Sequence, residues 1–209
     1  MKEEGEEKES AAQSLGYYRR LQAAVEELLV MKGLFSGQEI DRQIRAMDER
    51  DHTRGARMVA RAWLDQGYRA RLLKDGASAA EEMGFAVGPL KLVVVENMPT
   101  LHNVIVCTLC SCYPRALLGI PPDWYKSREY RSRVVREPRK VLAEFGLELP
   151  PGTDVRVHDS TAELRYMVLP LRPQGTDGLG EEALAQLVTR DSLVGVGVPR
   201  SPALSAPLS

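Results

Sequence analysis

Cysteine is scarce in this chain of 209 residues: there are three, and all lie between Cys107 and Cys112. So small, odd and clustered a set argues against a disulfide framework and for a metal or redox site. Histidine is equally rare, with three residues, so a site built on imidazole ligands has little to draw on. An excess of charge of either sign is missing too. Lys and Arg total 28 against 29 Asp and Glu, a net charge of −1, and the overall basic footprint of a nucleic-acid-binding protein is absent. No apolar run approaches the roughly 18 residues of a membrane span. The opening Met1-Lys2-Glu3-Glu4-Gly5-Glu6-Glu7 has no apolar core of the kind a secretory signal needs. The expectation is a soluble, cytoplasmic protein with no membrane and no nucleic acid among its partners.

What is present is enough to fold. Hydrophobic residues make up 44% and charged residues 27%, which suits one domain, or one domain with an appended arm. Residues 1–14, mostly Glu and Lys at the start, read as a disordered tip. From Leu15, the residues Leu21, Val25, Leu28 and Leu29 recur at helical spacing until Gly33. Ser36-Gly37-Gln38-Glu39 has capping-box spacing and opens a second helix with Ile40, Ile44 and Met47 on one face. A third helix runs from about Asp51 to Gln66 and ends at Gly67. These predict a helical stretch over 15–67, either a helical subdomain or an arm whose apolar stripe packs on another chain. Tyr68 to Leu73 reads as a short strand, and Ser78-Ala79-Ala80-Glu81 as the start of a short helix ending at Gly84.

Lys91–Glu96 and Asn103–Val106 are β-branched runs, read as buried strands. A helix follows Pro121-Pro122 through about Arg133, and another lies between Pro138 and Gly146. Val155–Val157 and Leu164–Leu169 alternate as strands do. A helix near Glu181–Val188 and a strand over Leu193–Val198 complete an α+β domain at 68–198. Residues 199–209 are small and Pro-rich, a tail expected to be disordered.

The cysteines stand in Cys107-Thr108-Leu109-Cys110-Ser111-Cys112, directly after a predicted buried strand. Four readings compete. A structural zinc site would need a fourth ligand, His102 or His158, and Cys110-Ser111-Cys112 is tight for two ordinary zinc thiolates. A dithiol redox pair would use Cys107 and Cys110 and leave the third cysteine superfluous. Three core cysteines would conflict with adjacent side chains pointing apart. In the fourth reading the backbone amides of Ser111 and Cys112 lie between the sulfurs, so one short loop offers three sulfurs and two amide nitrogens to an acidic trivalent metal. One position then stays open, as Lewis-acid catalysis requires. Such soft, strong-field donors suit low-spin cobalt or iron.

This loop resembles the metal-binding loop of nitrile hydratase α subunits. The likeness extends to Tyr125-Lys126-Ser127, Tyr130 through Arg139, Ala162 through Pro170, and Val188-Thr189-Arg190-Asp191, in the family's order. It implies an extended helical N-terminal arm that packs on a partner subunit, followed by a layered αββα domain carrying the cysteine loop. It also implies that Cys107 is a plain thiolate ligand, that Cys110 is oxidised to sulfinate and Cys112 to sulfenate, and that the amides of Ser111 and Cys112 complete the donor set. Thr108 and Tyr113 resemble the cobalt-type loop, which implies non-corrin Co(III), with Fe(III) as the alternative. Asp159, Glu163 and Arg165 match positions that orient the loop and tune the metal, although Ser160-Thr161-Ala162-Glu163 also has capping-box spacing.

The implied reaction is hydration of a nitrile to an amide at the open metal position, with water or the Cys112 sulfenate attacking. Cys112, Asp159, Glu163 and Arg165 are the implied catalytic residues, and Tyr113 and Arg115 line the substrate pocket. The implied partners are a β subunit, possibly split into two chains, a small activator or metallochaperone, and a small-molecule nitrile. Arg115 departs from the tryptophan common in nitrile hydratases and resembles the cobalt-binding subunit of thiocyanate hydrolase. A nucleoside (toyocamycin-type) nitrile hydratase is a further relative, and a non-catalytic metal-binding paralogue is the alternative from another class. The basic stretch Lys126, Arg128, Arg131, Arg133, Arg136, Arg139 and Lys140 reads as a solvated face or as salt bridges, because Glu129 and Glu137 interrupt it.

Overall fold

The computed structural model describes the backbone of residues 2–202 and the side chains of residues 15–202. Most of the tail foreseen at 199–209 lies outside the described residues. The chain divides into two compact units, with the break between Met47 and Asp48.

The first unit holds α1 (Lys2–Met31) and α2 (Gly37–Asp48, whose last residue crosses the break). The helix α1 begins at Lys2, so residues 2–14 of the tip read as disordered over 1–14 are helix, and Met1 lies outside the described residues. Its Glu-, Lys- and Ala-rich composition is that of strong helix formers. The turn between the helices uses Gly33 at φ 66°, and the capping box at α2 is made as read. Glu39 N donates to Ser36 Oγ at 3.2 Å, and Ser36 N donates to Glu39 Oε2 at 2.8 Å. Leu21, Val25 and Leu29 of α1 line an apolar groove of about 960 Å³ with Ile40, Ile44 and Met47 of α2. No residue of α2 is buried.

The second unit begins at Asp48, not at residue 68, because α3 (Thr53–Leu64) belongs to its core. Met58, Val59 and Ala62 of α3 are fully buried. Next come α4 (Gln66–Lys74) and α5 (Gly76–Glu82). The strand read at Tyr68–Leu73 is therefore corrected to helix. Tyr68 and Leu72, four apart, are both fully buried on one helical face, and the Asp65 carboxylate caps the helix by accepting from Tyr68 N at 2.9 Å. Gly67 thus opens α4 instead of merely ending α3. Asp75, not Ser78, caps α5, and Gly84 follows it at φ 77°.

Strand β1 (Lys91–Glu96) lies as read, and β2 (Leu101–Val106) starts two residues earlier than Asn103. Four helices follow: α6 (Arg115–Leu118), α7 (Asp123–Lys126), α8 (Arg128–Arg133) and α9 (Pro138–Glu144). The single helix read after Pro122 is broken at Ser127, whose hydroxyl accepts from Tyr130 N and so caps α8. Then come β3 (Asp154–Asp159), β4 (Leu164–Leu169), α10 (Glu181–Leu187) and α11 (Arg190–Val194). The last strand read at Leu193–Val198 is corrected: Thr189 and Ser192 form a reciprocal capping box that commits the segment to helix, and Gly195 ends it in the left-handed region.

The strands pair in parallel as β1 with β4 and β2 with β3. Parallel strands are covered on both faces, which explains why β2 is buried from His102 to Val106. The register sets Val106 opposite Asp159, so the residue that ends β3 lies beside the start of the cysteine loop. Among the described residues no helix is long and apolar enough to cross a membrane.

Candidate metal centre

The loop leaves β2 at Val106 and runs to α6. Ser160 N donates to Val106 O at 2.7 Å, which ties the two parallel strands at the point of departure. Beyond it the chain reverses through Cys107–Cys112. Cys107 Sγ and Cys110 Sγ are 3.5 Å apart, and Cys110 Sγ and Cys112 Sγ are 3.2 Å apart. All three sulfurs fall within 4.8 Å of one another. Cys107 and Cys112 are buried and Cys110 is exposed. Hydrogen bonds from the Cys112 and Cys107 thiols hold the Cys110 thiol below its ordinary pKa. Burial, reinforced by its two neighbours, pushes the Cys112 thiol up.

Three elements clamp this loop. The Asp159 carboxylate accepts from Thr108 N at 2.9 Å and from Thr108 Oγ1 at 2.6 Å. The Tyr125 hydroxyl, on α7, donates to Cys112 O at 2.9 Å. Arg131 Nη1, on α8, donates to Cys110 O at 3.2 Å. Underneath, Tyr125 meets Tyr113 edge-on with ring centroids 4.9 Å apart, and Tyr130 donates its hydroxyl to Ile105 O at 2.7 Å. A largely buried polar network runs along β2. Asn103 N donates to Asn97 Oδ1, His102 lies between Asn97 Nδ2 and Gly195 O, and His158 Nε2 meets Asn103 Oδ1. Burial lowers the pKa of both His102 and His158. Neither histidine joins the sulfur cluster, so neither serves as the fourth zinc ligand considered above.

A cavity of about 460 Å³ opens over the loop. Cys110, Ser111, Cys112, Tyr113, Arg115 and Arg165 all line it. So do Arg50 and Lys91, which sequence reasoning did not single out; no Asp or Glu does. Arg50 is delivered by Gly119, which sits at φ 75° where an added Cβ would run into the Arg50 carbonyl. Arg165 donates through Nη1 to the carbonyls of Thr161 and Leu164, while its buried Nε finds no partner. The Tyr113 hydroxyl is also buried and unpartnered. Glu163 is exposed, outside the cavity lining; its carbonyl accepts from Lys91 N at 3.0 Å. The helix suggested by Ser160–Glu163 does not form.

The donor set fits a thiophilic transition metal: three sulfurs in one tight group, no hard carboxylate among them, and two backbone amides between the last two cysteines. The unpartnered Arg165 Nε belongs to a side chain that acts on Cys112 and lines the cavity, and it leaves a buried donor there. The sequence presents Arg131 and Tyr125 only as parts of a motif. Their contacts to loop carbonyls depend on chain folding between α7, α8 and β2, which no periodicity reports.

Comparison with known proteins agrees with this geometry. The family model described as nitrile hydratase, alpha chain, matches residues 17–197. The chain is 54% identical over 183 residues to the low-molecular weight cobalt-containing nitrile hydratase subunit alpha of Rhodococcus rhodochrous, covering 86% of this chain and 87% of the relative. It is 47% identical over 196 residues to the thiocyanate hydrolase subunit gamma of Thiobacillus thioparus, covering 86% and 79%. Among solved structures, a double mutant of the Fe-type nitrile hydratase from Comamonas testosteroni Ni1 matches with a TM-score of 0.83 at 45% identity, over 93% of this chain and 97% of the other.

Proposed function

The chain belongs to the nitrile hydratase α-chain family, and on that footing we propose that it is the metal-bearing α subunit of a cobalt-type hydratase, converting a nitrile to its amide. The observation that carries the reading is the group of three sulfurs within 4.8 Å, two of whose cysteines, Cys110 and Cys112, line a cationic cavity. Cys107, Cys110 and Cys112, with the amides of Ser111 and Cys112, would hold the metal. Bound there, low-spin non-corrin Co(III) supplies a Lewis acid that polarises a nitrile.

The chain's own residues do the rest. Asp159 fixes Thr108 and with it the entry to the loop. Arg165 offers a buried N–H beside Cys112, suited to holding an oxygen on the Cys112 sulfur or the developing charge of the substrate. Tyr113 lines the cavity. Glu163 acts through the strand register, where its carbonyl meets Lys91. The apolar groove of α1 and α2 is the surface offered to a β subunit, either one chain or split into two; a small activator and a cytoplasmic setting complete the reading.

A second reading has its own support. Arg50, Lys91, Arg115 and Arg165 line the cavity without a carboxylate to offset them, which favours an anionic substrate, as in a thiocyanate hydrolase. Replacing Arg115 with Ala is expected to raise KM for an anionic substrate more than for a neutral nitrile; equal effects would leave the neutral-nitrile reading alone.

The test of the main reading is elemental analysis of the purified chain with intact mass. Near-stoichiometric cobalt with three added oxygens, about 48 Da, supports it. Zinc with unmodified thiols overturns it.

A further inference from the structure

Of the basic stretch between Lys126 and Lys140, most members have local tasks. Lys126 pairs with Asp123, Arg133 with Glu137 and Glu144, and Lys140 with Glu137. Arg136 donates to Ser132 O, and Arg139 donates to the carbonyls of Leu149, Pro150 and Thr153. Arg131 differs. Its Nε donates to Ser127 O at 3.3 Å, which anchors the side chain on the cap of α8, and its Nη1 reaches Cys110 O at 3.2 Å.

That carbonyl belongs to the same peptide unit as Ser111 N. Because the unit is planar, fixing its oxygen fixes the direction of its nitrogen. We propose that Arg131 is a positioning residue of the metal loop: it holds the Cys110–Ser111 peptide so that Ser111 N faces the sulfur cluster, and its permanent charge offsets the negative charge of the donor set. This rests on the reading of the loop as a metal site. Arg suits the task because its guanidinium stays charged and its fork is rigid, so one nitrogen can be anchored while another donates. Hydrogen bonds with a charged partner are roughly twice as strong as neutral ones. Tyr125 holds the Cys112 carbonyl from the neighbouring helix, so the two contacts bracket the Ser111 segment.

The experiment uses the full chain produced with its β partner in cobalt-containing medium. Wild type, Arg131→Ala, Arg131→Lys and the control Arg136→Ala are compared for cobalt content, the sulfur-to-metal absorption band, and cobalt release to excess chelator. Arg131→Ala is expected to shift the band and release cobalt about tenfold faster, in keeping with loss of a charge-assisted hydrogen bond. Arg131→Lys should fall between it and wild type, and Arg136→Ala should match wild type. If Arg131→Ala keeps the wild-type band and release rate, the proposal is overturned while the metal reading stands. If wild type itself takes up no cobalt, the metal reading fails and the proposal with it.

Discussion

The Asp159–Thr108 clamp is open to a quantitative test. Its carboxylate accepts two hydrogen bonds from one residue, at 2.9 Å from the backbone N–H and 2.6 Å from the hydroxyl. A hydrogen bond to a charged group contributes about 1.5–3 kcal/mol. Both residues are exposed, so water competes, and about 1 kcal/mol per bond is the working figure. Asp159→Ala removes both bonds and should lower stability by about 2 kcal/mol, Thr108→Val removes one and should cost about 1 kcal/mol, and the coupling from the double-mutant cycle should be about 1 kcal/mol. Asp159→Asn keeps one carbonyl oxygen for Thr108 N and should cost less than Asp159→Ala. Urea unfolding of the full chain reads the free energies, with an unchanged m value required for the comparison. Turnover of the cobalt-loaded complex should fall in the same order while cobalt content holds. A coupling of zero, or Asp159→Asn as damaging as Asp159→Ala, would refute the clamp.

Two further outcomes are expected. Tyr125→Phe keeps the buried ring but leaves the Cys112 carbonyl without its donor, costing about 1–3 kcal/mol; an unchanged urea midpoint would count against this contact. His102 is held neutral, because Asn97 Nδ2 donates to its Nδ1 while its Nε2–H donates to Gly195 O. Its pKa lies below the ordinary 6.5, chiefly through burial, so the unfolded chain takes up the proton first and stability should fall as pH drops below about 6.5. His102→Gln should flatten that slope, and a wild-type midpoint independent of pH between 5 and 7 would contradict the assignment.

The sequence announced the parts of this molecule whose signal is local. The capping box at Ser36, the strand at Lys91–Glu96 and the cysteine spacing could all be read directly. The errors came where tertiary packing or a cap outweighed a local pattern. Tyr68–Leu73 alternates like a strand, but burial of Tyr68 and Leu72 on one side and the Asp65 cap make it helix. Leu193–Val198 is rich in Val and Gly, yet the capping box of Thr189 and Ser192 opens a helix that takes in Leu193 and Val194. At the site, the ligand candidates were legible because one hexapeptide carries them. Arg50, Lys91 and Arg131 were not, since each reaches the loop from a distant element through the folded chain.

The parallel pairing of β2 and β3 has a consequence for transplanting the centre. The cysteines lie within one hexapeptide, yet Asp159 meets Thr108 only because Val106 and Asp159 share a register position. Sliding β3 by one residue would present His158 or Ser160 there and turn alternate side chains to the opposite face. A scaffold given only Cys107–Cys112 would inherit the sulfurs without their support. The smallest portable unit is the loop together with both strands, and length changes are best placed in the turn before Asp154.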